Sequence, residues 1–182
     1  FAALTAVGAL VSVPIAPVPV TLQSLVSLTA GAILGASHGA ASQILYVLMG
    51  SMGLPVFAGG AAGTGHLVGP TGGYLFGLVA CALVSGLLVE RRRPGAPGAG
   101  RLAVAMCVGL TALHSCGVAG LIRLGGYRPG AAIATALLFV PGDLAKLAVA
   151  VAIVRAAVPV LSMRLDRPPD TCSGAAAGQG PG

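Results

Sequence analysis

A long charge-free run dominates this sequence, because from Phe1 to Val89 there is no Asp, Glu, Lys or Arg. A soluble fold has to cover its surface with polar side chains, and ordinary soluble domains contain about 25% charged residues. This chain of 182 residues is only 8% charged and 56% hydrophobic. The composition therefore excludes an ordinary soluble domain and predicts a protein that crosses the membrane several times.

Six apolar segments are candidates for membrane spans, each of which needs about 20 residues, with shorter ones possible. They comprise residues 1–13, 22–34, 40–52, 71–89, 102–121 and 141–157. The predicted fold class is all-α integral membrane, with a bundle of six transmembrane helices over residues 1–158. Residues 159–182 are predicted to form a disordered cytoplasmic tail. The first segment is short and lacks an initiator Met, so we expect a short N-terminal piece to precede Phe1.

Interruptions between these segments shape the expected bundle. Three prolines between residues 14 and 19 forbid a helix there, and a tight turn is expected at residues 35–39. Residues 53–70 are rich in glycine, and non-helical backbone at membrane depth must be buried in protein or line a cavity. We therefore predict that they fold back over the bundle as a re-entrant or lid loop. Pro141 divides the apolar residues 131–158, which predicts a short dipping segment followed by the sixth span, with a single kinked helix as the alternative.

The basic residues predict an orientation. Arginines are concentrated in two places, namely at positions 91, 92, 93 and 101 and at positions 155, 164 and 167. Loops rich in Lys and Arg usually remain in the cytoplasm. With six spans, both termini are then cytoplasmic, and the glycine-rich segment lies outside with the proline-rich link. This distribution also explains the net charge of +6 without nucleic-acid binding.

One acid and one base lie close together in the apolar body of the chain. Asp143 and Lys146 are three residues apart, so they share one face of a helix. If Pro141 occupies the first turn of that helix, Asp143 is favourably placed near the positive end of the helix dipole. Ionisable residues inside a membrane are costly and usually face a cavity or a partner. The pair therefore either forms a structural ion pair between helices or binds a polar ligand.

Four short motifs resemble one known family. They are PVPVTLQ at residues 17–23, GLPVFAGG at 53–60, GPTGGYL at 69–75 and PGDLAK at 141–146. In this order they resemble the BioY family, the biotin-binding S components of energy-coupling-factor (ECF) vitamin transporters. The resemblance covers nearly the whole chain, to about Arg155, and has no counterpart for the C-terminal tail.

The resemblance implies a function and a set of partners. It implies a multi-pass protein of the bacterial cell membrane that binds biotin from outside and delivers it inward. The expected partners are biotin, a transmembrane coupling subunit, two ATP-binding subunits and the lipid bilayer. No cofactor is implied, and the sequence has no Gly-x-x-x-x-Gly-Lys-Ser/Thr loop for a nucleotide. The alternatives are the same fold with another small vitamin, a stand-alone facilitator or exporter, and an intramembrane enzyme, which no catalytic arrangement supports.

The chemistry of biotin indicates which residues could form its site. A site for biotin needs an apolar slot, a few hydrogen bonds and one cation. Lys146, the only lysine, could meet an anion or carbonyl, and Asp143 could accept from ureido N–H groups. Gln23 could pair with the ureido group or bond between helices. Tyr74 could stack on the bicyclic ring or anchor at the interface, and Phe57 could line the slot or simply pack.

Small residues and a few polar ones complete the predictions. Gly59, Gly60 and Gly73 would let backbone approach the ligand closely. The first helix has a face of small residues, namely Ala2, Ala3 and Ala6. The resemblance implies that this face docks on the coupling subunit, and packing within the protein is the alternative. Thr21 is expected to cap the second span. The three histidines (His38, His66 and His114) are read as structural, and the spacing of the four cysteines indicates no metal site.

Overall fold

The computed structural model describes residues 1–14, 18–90 and 98–165. Its elements are α1 (Ala2–Leu10), β1 (Ser12–Val13), β2 (Val20–Thr21), α2 (Gln23–Leu34), α3 (Ala36–Ser51), a 3-10 turn (Ala58–Gly60), α4 (Gly65–Val68), α5 (Gly72–Glu90), α6 (Ala99–Arg123) and α7 (Pro129–Leu165). The two strands form a small antiparallel hairpin in which Ser12 pairs with Thr21 and Val13 with Val20. The helical part of the predicted fold class is confirmed.

Three helices are long and apolar enough to cross a membrane, namely Gly72–Glu90, Ala99–Arg123 and Pro129–Val158. The helix Gln23–Leu34 is apolar but shorter, and its 12 residues extend only about 18 Å at about 1.5 Å per residue. Helices α1 and α3 are also shorter than the three long ones. Within the described residues, spanning length is therefore reached by the last three of the six predicted spans.

The predicted break at Pro141 is wrong. Helix α7 runs without interruption from Pro129 to Leu165, so Pro141 lies in its interior and neither a dipping segment nor a new helix begins there. An interior proline removes one backbone hydrogen bond, but membrane helices tolerate it where neighbouring groups and local adjustments satisfy the freed carbonyl. Asp143 consequently lies in the middle of a helix, and the argument from the helix dipole does not apply to it.

Helix α7 presents a single stripe to the rest of the protein. Its buried residues are Ala132, Phe139, Asp143, Leu147, Ala150 and Val154, which recur every three to seven positions. The opposite face exposes apolar side chains such as Leu137, Leu144 and Ile153. This pattern is expected for a helix with lipid on one side and protein on the other. The helix also continues past Pro159, where the tail was predicted to start, and residues 166–182 of that prediction lie outside the described range.

Glycines allow α5 to pack closely against its neighbours at the centre of the bundle. A Cβ atom on Gly31 of α2 would lie 2.3 Å from the Ala82 carbonyl oxygen of α5. Where α5 crosses α6, a Cβ atom on Gly73 would lie 2.7 Å from the Cα atom of Gly120. Small residues let membrane helices approach closely and gain van der Waals contact. These crossings hold α2 and α6 close against α5.

The turn between α2 and α3 is tighter than predicted. It consists of Gly35 alone, at φ +83°, and α3 already begins at Ala36. The carboxylate of Glu90 accepts a hydrogen bond from the Ala36 amide at 2.9 Å, and Arg101 donates to the carbonyl of Val89. Glu90 and Arg101 therefore lie at the same end of the bundle as the Gly35 turn. The starts of α2 and α5 lie at the other end.

Candidate functional site

A cavity of about 230 Å³ lies at the end of the bundle opposite Glu90. Its lining comes from the link before α2, from α2, from the glycine-rich segment and from α4, α5, α6 and α7. Its polar and aromatic lining residues are Thr21, Gln23, Ser24, Phe57, His66, Thr71, Tyr74, His114, Phe139, Asp143 and Lys146. Helices α2, α4, α5, α6 and α7 therefore all contribute to this cavity, whereas α1 and α3 do not line it.

Asp143 is the centre of a hydrogen-bond network in the cavity wall, and it is only 4% exposed. Its Oδ1 atom accepts from Lys146 Nζ at 3.0 Å and from Ser24 Oγ at 3.2 Å. Lys146 Nζ also lies 3.2 Å from Ser24 Oγ. The Oδ2 atom lies 2.8 Å from His114 Nε2. A charge buried to this degree is stable only when it is paired and hydrogen-bonded, as it is here.

The network leaves hydrogen-bonding capacity for a ligand. A carboxylate has about four lone-pair sites, and Lys146, Ser24 and His114 occupy three of those on Asp143. An ammonium group has three N–H donors, and the contacts of Lys146 to Asp143 and Ser24 use two of them. By this count the contacts among the described residues leave one acceptor on Asp143 and one donor on Lys146 unused, and both residues line the cavity.

Gln23 connects the cavity to the glycine-rich segment. Its carboxamide nitrogen donates to the Tyr46 hydroxyl, which in turn donates to the Val56 carbonyl at 3.0 Å. Its carboxamide oxygen accepts from the Thr21 hydroxyl at 2.9 Å. Gln23 thus makes the interhelical bond that was one of its two predicted roles, and it also lines the cavity. The N-cap of α2 is Leu22 and not Thr21 as predicted, although the Thr21 hydroxyl accepts a hydrogen bond from the Gln23 backbone amide at 3.4 Å.

Aromatic rings form the apolar part of the cavity wall. The Tyr74 ring lies edge-on to Phe139 at 6.0 Å, and the His114 ring stacks on Phe139 at 6.1 Å. On the glycine-rich side, Phe57 is 3% exposed and its ring lies 5.9 Å from that of His66. Flat rings at these separations suit a flat, mainly apolar ligand. The hydroxyl of Tyr74 is buried and has no hydrogen-bond partner among the described residues.

Five of the predicted ligand residues therefore meet in one cavity: Gln23, Phe57, Tyr74, Asp143 and Lys146. The predicted glycines are not part of its lining. Gly73 lies at the crossing of α5 and α6, where a Cβ atom would be 2.4 Å from the Cys116 carbonyl oxygen. Gly59 and Gly60 have φ angles of +70° and +76°, and nothing lies within 4 Å of a Cβ built on either. Their positive φ angles are what favours glycine at these two positions.

The small residues of α1 divide between the core and the surface. Ala2 is buried in the main hydrophobic core, and Ala6 packs against that core. Ala3 is exposed, beside the exposed side chains of Leu4 and Val7. Packing within the protein, the alternative to docking on the coupling subunit, thus applies to Ala2 and Ala6. Ala3 lies on the exposed surface of the helix.

Sequence reasoning missed most of the other lining residues, including Ser24, His66, His114 and Phe139. Reading His114 as merely structural overlooked that a histidine inside an apolar span is itself an unusual ionisable group. Ser24 directly follows Gln23, which was selected. The described residues contain no group of three or more His, Cys, Asp or Glu side chains that could hold a metal ion.

Comparison with known proteins places the chain in a family. The model of the BioY family matches residues 1–163. The biotin transporter BioY of Rhodobacter capsulatus is 41% identical, over 82% of this chain and 84% of the relative. The biotin transporter BioY of Rhizobium etli is 35% identical, over 85% and 87% of the two chains.

A solved structure supports the same placement at the level of the fold. The S-component for biotin from an ECF-type ABC transporter superposes with a TM-score of 0.79 at 24% identity, over 87% of this chain and 86% of that one. At this identity the likeness establishes the fold. This likeness in fold agrees with the family match over residues 1–163. The chain therefore belongs to the BioY family.

Proposed function

We propose that this protein is the biotin-binding subunit of a vitamin uptake transporter. The observation that supports it most is the paired Asp143 and Lys146, with one free acceptor and one free donor, at the edge of an aromatic cavity. Two relatives that match most of the chain are biotin transporters by name. Function here rests on the site as well as on the family, because a fold alone does not specify a ligand.

The cavity offers partners for the ureido group and the bicyclic ring of biotin. The planar ureido group offers N–H donors for the free lone pair of Asp143 and a carbonyl for Lys146. The rings of Tyr74 and Phe139 provide an apolar surface for the bicyclic ring. Phe57 closes the slot from the glycine-rich side. Another small vitamin with a planar polar group is the alternative ligand.

Transport by this subunit requires energy from partners. The sequence has no phosphate-binding loop of the Gly-x-x-x-x-Gly-Lys-Ser/Thr type. We infer that a transmembrane coupling subunit and two ATP-binding subunits supply the energy, as in ECF-type transport. The exposed side of α1 around Ala3, Leu4 and Val7 is our proposed docking surface for the coupling subunit. Ala2 and Ala6 would support this surface from inside.

Biotin titration of the purified protein tests the proposal directly. We expect saturable binding of biotin without ATP, weaker binding of other vitamins, and no ATP hydrolysis by this chain alone. A preference for a different vitamin would retain the fold and change the ligand. ATP hydrolysis by the chain free of other subunits, or the absence of any vitamin binding, would contradict the proposal.

We propose that the protein is oriented in the membrane with the cavity open to the outside and both termini in the cytoplasm. The cavity lies at the end opposite Glu90 and Arg101, and the basic linker at residues 91–101 follows Glu90 in the chain. Basic linkers of this kind usually remain in the cytoplasm. A ligand would then enter the cavity from the outer side, past the glycine-rich segment.

Cysteine labelling measures this orientation. Thr64 is exposed on the glycine-rich segment and Gly98 is exposed at the start of α6, so each can be replaced by Cys in a variant that lacks the native cysteines. An impermeant thiol reagent added to intact cells should label position 64 and spare position 98. Labelling of position 98 alone would reverse the orientation.

A further inference from the structure

His114 makes the shortest contact to Asp143, although the two residues lie on different helices. Its Nε2 atom on α6 is 2.8 Å from Asp143 Oδ2 on α7, whereas Lys146 and Ser24 contact the other carboxylate oxygen at 3.0 and 3.2 Å. Each oxygen of Asp143 therefore has its own partners. This division of contacts defines the rotation of the carboxylate in the cavity wall.

The direction of this hydrogen bond follows from the chemistry of its partners. The carboxylate of Asp143 is paired with the ammonium group of Lys146 at 3.0 Å. In that state it can only accept hydrogen bonds, so His114 Nε2 must carry a proton. The Nδ1 atom of His114 is buried and has no partner among the described residues. A second proton on Nδ1 would be buried without an acceptor, which is costly. The arrangement therefore places a proton on Nε2 of His114.

The ring of His114 is itself held in place by its neighbours. It stacks on Phe139 at 6.1 Å with an interplanar angle of 16°, and the Tyr74 ring meets it edge-on at 6.2 Å. These contacts come from α7 and α5, so the imidazole is fixed between three helices. A donor fixed in this way can orient the carboxylate before a ligand arrives.

We propose that His114 is a positioning residue for ligand binding. By holding Oδ2, its Nε2–H group prevents the carboxylate of Asp143 from turning both oxygens toward the ammonium group of Lys146. That rotation would use the lone pair that is otherwise free and would remove the acceptor that faces the cavity. The inference rests on the proposed function, because it assigns a role within the same biotin site.

Three substitutions at position 114 separate a hydrogen-bond role from a packing role. A Gln side chain carries an amide N–H at about the reach of Nε2, an Asn side chain carries the same group too far from Asp143, and a Leu side chain has no donor. His114→Gln should bind biotin about tenfold more tightly than His114→Asn and His114→Leu, which is about 1.4 kcal/mol. The thermal stability of each variant without biotin shows whether it has folded. Equal biotin affinities for the three variants, whether high or low, would overturn the proposal.

A measurement without ligand separates this inference from the proposed function. Nitrogen-15 NMR of the histidine-labelled protein reports which ring nitrogen carries the proton, and the signals that disappear in His114→Gln belong to His114. We expect its proton on Nε2. An Nε2 atom without a proton would overturn the inference even if biotin binds. If the parental protein does not bind biotin, the proposed function fails, and the NMR result alone decides whether the His114–Asp143 bond exists as described.

Discussion

Lys146→Ala should weaken biotin binding at least tenfold. Lys146 is the cation closest to Asp143, and its side chain is only 12% exposed. Truncating one partner of a buried charged pair typically costs about 2–5 kcal/mol, and each tenfold in affinity corresponds to about 1.4 kcal/mol. The substitution removes the free donor of the site and leaves the Asp143 carboxylate without its counter-charge. Biotin titration of the detergent-purified variant measures the loss.

A matched control distinguishes the lost contact from the lost charge. Arg155 is exposed on the same helix and is not among the residues that line the cavity, so Arg155→Ala removes one positive charge without touching the site. It should bind biotin as tightly as the parent. A Lys146→Ala variant that matches Arg155→Ala in affinity would contradict a ligand role for Lys146.

Exchanging the two charges tests the structural alternative for the pair. In the double variant Asp143→Lys with Lys146→Asp, an ion pair can still form, so a purely structural pair should tolerate the exchange. A ligand-binding pair should not tolerate it, because donor and acceptor have changed places relative to biotin. Thermal melts and biotin titration of the double variant decide between the two. Affinity equal to that of the parent would show that these residues are not the site.

How well the contacts of the site could be predicted depends on how far apart the contacting residues are in the sequence. Asp143 and Lys146 are three residues apart, so the helical period alone places them together. Ser24 is 122 residues from Lys146, and His114 is 29 residues from Asp143. Their meeting depends on how α2, α6 and α7 pack, and nothing in the local sequence specifies that packing. The core of the site was therefore predictable, whereas its supporting hydrogen bonds were not.

The prediction at Pro141 failed because a rule from soluble helices was applied to a membrane helix. In water, an interior proline exposes an unpaired carbonyl and usually ends the helix. In a bundle of membrane helices the apolar environment strongly favours continued helical hydrogen bonding on both sides of the proline. The exposed apolar residues on both sides of Pro141, such as Leu137 and Leu144, fit one continuous membrane helix. The alternative prediction, a single kinked helix over residues 131–158, is nearer to the observed structure.

Glycine is the residue whose role was hardest to predict. The sequence shows where the glycines are, but a close approach to a ligand and a close approach to another helix require the same absence of a side chain. Gly73 was predicted to face the ligand. In the structure it faces Gly120 and the Cys116 carbonyl of α6. Only the packing of α5 on α6 could distinguish the two roles.

Gly73→Ala should therefore lower the stability of the protein more than it lowers the affinity of the folded fraction. The added Cβ atom would lie 2.4 Å from the Cys116 carbonyl oxygen and 2.7 Å from the Gly120 Cα atom. Both neighbours are backbone atoms that cannot move aside, so α5 and α6 must separate at this crossing. Overpacking typically costs about 1–3 kcal/mol, and we expect a value near the upper end.

Gly142→Ala provides the control for this experiment. Gly142 also lies in a membrane helix, but nothing is within 4 Å of a Cβ built on it, so the same methyl group has space there. Alanine is favoured over glycine inside a helix by about 1 kcal/mol, so this variant should melt at or slightly above the temperature of the parent. Thermal unfolding and biotin titration of the two variants complete the comparison. If Gly73→Ala melts like Gly142→Ala and loses only biotin affinity, then Gly73 faces the ligand as first predicted, and the tight crossing of α5 and α6 does not depend on it.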